Sequence, residues 1–313
     1  MDPVRLLLIS STAVVSLLLL IEWNQYSDSH KKQQSDLYAA AVLETPVTEE
    51  KSSFSAIDEG IPSVSAPVAA LTETRDQAAS FFLNTDAINL AISMDGGDIT
   101  GASLPKFPVR LDTPDQPFRL LESNALRTYV AQTGLIGPDG IDASGDRARY
   151  VSQGIDVGAD GSHTLTLAWI GNDPLGLQVF KQITAYDNQY VVDVTFDIRN
   201  NSGQSVNVTS FAQLKRDNSE APDANVGFGV SPYLGAALTQ PEERYTKLAF
   251  SDLQDEPFSK NLPGGWVAIL QHYFVSAWIP SQTESHDFFA SQLSNGDNVI
   301  GYKNAGVSID AGD

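Results

Sequence analysis

Residues 177 to 215 hold three β-rich runs separated by tight polar turns, and no other stretch constrains the fold as strongly. The first run, 177–186, reads Leu-Gln-Val-Phe-Lys-Gln-Ile-Thr-Ala-Tyr and closes on Asp187-Asn188. The second, 190–199, closes on the polar turn 200–203, and the third covers 205–215. Successive side chains of a strand leave opposite faces, so alternation of apolar and polar residues marks a half-buried strand. Three such runs in succession predict an antiparallel meander.

The same texture holds from residue 81 onward. Residues 87–93 alternate, and Asp95-Gly96-Gly97-Asp98 turns the chain into 99–104, a hairpin signal. Residues 164–170 alternate and close on Gly171-Asn172-Asp173-Pro174. Residues 265–270 and 272–280 are near-continuous apolar runs, which predicts buried strands. Residues 288–293 and 299–303 flank a hairpin tip at Asn295-Gly296. Many short strands without a long helical period specify an all-β fold. At about 230 residues the region suits one large two-sheet antiparallel sandwich better than two small ones.

Ahead of this region lies a different kind of segment. Residues 6–21 form an uncharged apolar run fenced by Arg5 and Glu22, with Trp23 beside it. As a helix it spans about 24–27 Å, enough for a short transmembrane anchor. A cleaved signal peptide is the rival reading, but Glu22-Trp23-Asn24 is no small-residue cleavage site. Arg5 and the short tail favour a cytoplasmic N-terminus, although Lys31 and Lys32 weaken the charge bias. Residues 24–80 are rich in Ser, Ala, Gln, Glu, Thr and Pro and read as a tether, with a span of about 40 Å. The expected order is a cytoplasmic tail (1–5), a transmembrane helix (6–23), a flexible tether (24–80) and a β-domain (81–313).

Composition narrows the function. The chain carries 39 Asp and Glu against 19 Lys and Arg, a formal charge of −20, which repels phosphate backbones and argues against nucleic-acid binding. With no cysteine there are no disulfides, thiolate metal sites or cysteine nucleophiles. His30, His163, His272 and His286 are scattered without a carboxylate at a diagnostic spacing and read as structural. No zincin, EF-hand, P-loop or nucleophile-elbow pattern is present, and Gly227-Phe228-Gly229 reads as a loop. Glu242-Glu243 and the acidic residues of 252–256 read as a solvated rim. The glycine-threaded stretch 139–146 matches no calcium pattern. Trp266 and Trp278 read as core packing rather than a sugar platform. No catalytic, cofactor-binding or metal residue is therefore assigned, no cofactor is expected, and the domain reads as a binding, scaffolding or chaperone-like module rather than an enzyme.

Several segments carry a family resemblance. The most specific is Gly264-Gly265-Trp266-Val267-Ala268-Ile269-Leu270-Gln271-His272-Tyr273-Phe274-Val275-Ser276-Ala277-Trp278-Ile279-Pro280. Gly96-Gly97-Asp98, Pro117-Phe118-Arg119-Leu120-Leu121-Glu122, residues 129–135, Ser210-Phe211-Ala212-Gln213-Leu214-Lys215 and Ile300-Gly301-Tyr302-Lys303 support it. With the opening helix and tether, the chain resembles the amino-terminal part of the YidC family of bacterial membrane protein insertases.

That resemblance implies an N-in first helix in the inner membrane and a periplasmic β-supersandwich similar to galactose mutarotases. The His and carboxylate set of those epimerases cannot be assembled from this sequence. It also implies work on inner-membrane protein clients, alone or beside the Sec translocon and SecDF, with the bilayer engaged through the N-terminal helix. The insertase groove and its arginine belong to later helices. The sequence stops at Asp313 before them, so the chain is expected to be a fragment not insertion-competent by itself. A membrane-tethered carbohydrate-binding or mutarotase-like protein is the alternative, and a free-standing periplasmic chaperone a third reading.

Overall fold

The computed structural model describes residues 80–110, 112–143, 145–171, 176–219, 233–271 and 273–313. The expected anchor, nearly all of the tether, the 227–229 loop, His30 and His272 lie outside the described residues. Among those described, no helix is long and apolar enough to cross a membrane.

The strands in chain order are β1 (Ser80–Asn84), β2 (Asn89–Ser93), β3 (Ile99–Pro108), β4 (Pro117–Asn124), β5 (Arg127–Ile136) and β6 (Tyr150–Val157). They continue as β7 (Ser162–Trp169), β8 (Leu177–Tyr186), β9 (Val192–Asn200), β10 (Val206–Arg216), β11 (Leu234–Leu238) and β12 (Thr246–Leu248). The last six are β13 (Phe258–Pro263), β14 (Val267–Gln271), β15 (Phe274–Trp278), β16 (Ser285–Gln292), β17 (Asn298–Lys303) and β18 (Val307–Ile309).

The fold is all-β and antiparallel, with pairings in three sheets. A ten-stranded sheet runs β1-β2-β3-β4-β5-β10-β17-β16-β13, with β18 on β10. Two four-stranded sheets run β12-β11-β14-β15 and β6-β7-β8-β9. β15 lies across β10, and β14 across β17. One continuous apolar core joins all three sheets, including Leu90, Ile99, Tyr129, Leu167, Ile183, Leu214, Ile269 and Phe288.

The predicted hairpins form where expected. β2 and β3 pair across the 95–98 turn, and β16 and β17 across Asn295-Gly296. Gly96 and Gly97 adopt φ of 74° and 59°, which favour glycine, and Asn188 takes φ 59° in the β8–β9 turn.

The three-run meander holds only in part. β8 pairs with β9, but β10 leaves to sit between β5 and β17. The cause lies in the burial pattern. In β9 one face stays partly solvated, whereas Phe211, Ala212, Gln213 and Leu214 are buried in succession, as a two-sided central strand requires. Asn200 fixes the change of direction: its amide donates to the carbonyls of Gln204 (2.9 Å), Ile309 (3.0 Å) and Asp310 (3.0 Å).

The second apolar run also differs from expectation. β14 is buried, but β15 is the outermost strand of its sheet and alternates, with Val275 54% and Ile279, just beyond the strand, 69% exposed. Its apolar outer residues lie on a solvated surface rather than in a core.

Candidate functional site

β5 and β10 pair without a register break from Thr209↔Ile136 to Arg216↔Tyr129. Gln132 and Gln213 therefore share one face of this pair, and Tyr129 and Arg216 share the other. Each face buries a polar cluster.

On the first face, Arg147 is paired with two carboxylates. Its guanidinium contacts Asp98 and donates to Asp142 Oδ1 at 2.8 Å and to the Thr133 carbonyl at 2.8 Å. Asp142 also accepts from the backbone amides of Leu135 (2.9 Å) and Ala148 (3.0 Å). Gln132 donates to Asp98 (2.9 Å) and accepts from Gln213 (3.0 Å). Lys181, wholly buried, donates to the carbonyls of Gly96 (2.7 Å) and Thr133 (3.1 Å). It thereby ties β8 to the β2–β3 turn and to β5.

Glycine is required at that turn. A Cβ on Gly96 would press into the Arg147 guanidinium, and one on Gly97 would meet Lys181 Cδ at 2.9 Å. Burial disfavours charge on Arg147, yet Asp98 and Asp142 hold its pKa above the usual guanidinium value. Burial brings Lys181 down to about 7, and Arg147 adds to the effect against the pull of Asp98 and Asp142.

The second face is built differently. Arg216 lies 4.9 Å over the Tyr129 ring and donates to Gln271 Oε1 and to the Ser219 carbonyl (3.1 Å). Arg127 reaches the same Gln271 oxygen at 3.4 Å and lies 3.7 Å from Glu122. β14 and β15 cover this face. Burial pushes the Tyr129 phenol up to about 12, partly offset by Ser276, Arg216 and Arg127 beside it.

A surface groove of about 310 Å³ lies on the β11–β15 sheet, lined by Tyr233, Tyr245, Tyr273, Lys247 and Val275 among others. Lys247 Nζ sits 4.4 Å over the Tyr233 ring and 5.8 Å from that of Tyr245. Trp266 lies 6.2 Å from Tyr245, and Tyr273 is 80% exposed.

The residues weighed from sequence fall as follows. His286 is buried, with Nδ1 at 2.7 Å from Asn304 Oδ1 and Nε2 at 2.8 Å from the Ser281 carbonyl, a structural role. His163 Nε2 lies 3.3 Å from Asp187, a pairing the sequence spacing did not reveal. Glu242, Glu243, Asp252, Asp255 and Glu256 are exposed. Within 139–146, Asp142 turns inward to Arg147, while Asp139 accepts from the Asn207 amide (2.7 Å). Trp278 packs against the core, and Trp266 is partly buried. Among the described residues no group of three or more His, Asp or Glu is placed to hold a metal ion.

Residues 81–313 match the family described as YidC periplasmic domain. The chain belongs to the YidC periplasmic domain family. Proteins named membrane protein insertase YidC are similar along its whole length: 36% identity over 321 residues in Azotobacter vinelandii and 35% over 327 in Pseudomonas putida. Both matches cover 100% of this chain and 56% of the relative, so the chain spans about half the length of the curated relatives it matches.

Two solved structures are also similar. One is a galactose mutarotase-like protein from Lactobacillus casei (TM-score 0.49, 9% identity, 75% of this chain and 96% of that one). The other is a galactose mutarotase related enzyme from Lactobacillus acidophilus (0.45, 10%, 75% and 94%). Likeness at that level adds nothing to the strand order already described. Within the YidC-family domain, the resemblance segment 264–280 contains β14 and β15, and so supplies Gln271 and Ser276 to the second polar face.

Proposed function

We propose that this chain is the membrane-anchored periplasmic part of an insertase that aids insertion, folding and assembly of inner-membrane proteins. In this reading residues 1–5 are cytoplasmic, 6–23 span the inner membrane with the N-terminus inside, 24–80 tether, and 81–313 fold in the periplasm. The carrying observation is identity of 35–36% to YidC insertases along the whole chain, with the periplasmic domain family matched over 81–313.

The domain acts by contact rather than by bond chemistry, on inner-membrane protein clients and beside the Sec translocon and SecDF. The tyrosine-lined groove suits such contact. It offers aromatic area on a solvated sheet face, and Lys247 supplies a cation on a chain of net charge −20. An extended segment of a partner bearing one acidic residue would set its carboxylate on Lys247.

Capture of Sec components from solubilised membranes tests the reading. Capture by the insertase that contains this chain should be lost when residues 81–313 are deleted. Unchanged capture would overturn the docking role. Lys247→Glu should weaken capture without altering the melting temperature.

A further inference from the structure

A strand at the rim of a sheet leaves the N–H and C=O of every second residue pointing outward. Such a rim is a template for another strand, and folded proteins guard it with charge, proline, a bulge or brevity. Most rims of this domain are guarded. β12 is three residues long and carries Lys247, and β13 carries Lys260 and ends on Pro263. β9 holds Asp193, Asp197 and Arg199, while β6 carries Asp156 and breaks register between Ser152 and Gly154. β18 has three residues, and β1, which is uncharged, packs against β7.

β15 has none of these guards. Residues 273–280 hold no Asp, Glu, Lys or Arg in a chain that is 19% charged, and Pro280 falls beyond the strand. Pairing with β14 is unbroken from Gln271↔Phe274 to Val267↔Trp278. Among the described residues β14 is the only strand paired with β15.

The turn decides which groups point outward. Two residues separate Gln271 from Phe274, so these two form a hydrogen-bonded pair, and Ser276 and Trp278 follow in phase toward β14. The N–H and C=O of Val275 and Ala277 then face away from the sheet. Among the described residues no backbone group hydrogen-bonds them. Val275 and Ala277 are exposed, whereas Phe274 and Trp278 pack on the core and hold the strand in place.

The occupant follows from this chemistry. Outward groups that recur about every 7 Å along a line match the backbone of an extended polypeptide rather than a compact ligand. With no charge on 273–280 to pair with, the matching segment is uncharged over the paired residues. The net charge of −20 draws Lys or Arg at its flanks and repels a second copy of the chain.

We propose that β15 receives an extended, uncharged polypeptide segment with basic flanks, which adds as a fifth strand and bonds Val275 and Ala277. The proposal goes beyond the insertase reading and does not rest on it. Ala277 lies outside the tyrosine-lined groove, so the two contacts can be told apart.

The test uses a fluorescent peptide of about ten residues, alternating Thr and Val with Lys at each end, titrated into the detergent-solubilised full chain. It should bind saturably and slow exchange of the Val275 and Ala277 amide hydrogens. Glu in place of the terminal Lys residues should weaken it. N-methylation of alternate amides along one edge of the peptide should abolish binding, and along the other edge should spare it, since one edge alone faces β15.

Val275→Pro removes an outward donor without breaking a bond to β14. It should weaken the peptide about tenfold or more at an unchanged melting temperature. Ala277→Lys, a guard of the kind the other rims carry, should act in the same direction and serves where Val275→Pro does not fold. Lys247→Glu, which strikes the groove, should not weaken the peptide. Equal loss from methylating either edge, unaltered affinity in both β15 variants, or tighter binding of the Glu-ended peptide would overturn the site. Self-association of the full chain that Ala277→Lys abolishes, with the peptide silent, would overturn it in favour of a second copy.

Discussion

On one face of β5 and β10, Arg147 meets Asp98 and Asp142, and Lys181 closes on two backbone carbonyls. On the other, Arg127 and Arg216 converge on the neutral amide oxygen of Gln271, with Glu122 3.7 Å from Arg127. The same two strands thus carry one cluster closed by short charge-to-charge contacts and another in which guanidiniums share a neutral amide. A buried ion pair holds its partners in place because loss of either leaves a charge stranded in a low dielectric. A guanidinium on a neutral amide contributes less, because removing one such hydrogen bond leaves no second charge stranded. The first arrangement holds layers together firmly, and the second less so.

The contrast can be broken most severely at Arg147. Arg147→Met strands two buried carboxylates and should cost about 3–5 kcal/mol, read from urea denaturation. Lys181 should come next, through pH. It titrates at about 7 when folded against 10.5 for the ordinary side chain, so between these values the unfolded chain binds the extra proton. Stability should therefore rise with pH from 7 toward 10, by at most about 1.4 kcal/mol per unit, and the penalty should be full below pH 7. Lys181→Met should flatten that slope in melts recorded across the range.

Gly96→Ala should cost about 1–3 kcal/mol, since a Cβ there is strained at φ 74° and displaces Arg147. The smallest effect belongs to the other face. Tyr129→Phe removes one neutral hydroxyl contact with Ser276, and stability should stay within about 1 kcal/mol of wild type in thermal melts. A loss as large as that of Arg147→Met would erase the distinction between the two faces.

The hairpins at 95–98 and 295–296 and the run of β8 were legible in sequence, because turn residues and a period of two are local signals. The partner of β10 was not, since pairing across distant segments depends on which faces are buried rather than on adjacency. The polar clusters left a fainter trace. In β8 the inward set is Leu177, Val179, Lys181, Ile183 and Ala185, so alternation alone places a lysine among core residues. Gln271 falls in phase with Val267 and Ile269, and Arg216 with Ala212 and Leu214, in the same way. What alternation cannot supply is the partner: Asp142 comes from the glycine-threaded stretch 139–146 and Arg147 from just beyond it, where no periodic pattern marks either as buried.

The position of β10 also bears on how the domain reaches its native state. Its ladders to β5 and β17 both join segments about 80 residues apart, and such distant pairings make folding slow. The two central strands cannot meet until β10 has been made, and β17 comes later still. Until then the charged side chains destined for the interior remain hydrated, and the outer hairpins form around a centre not yet closed. The rate-limiting event should be the docking of β10, with the local turns in place before it.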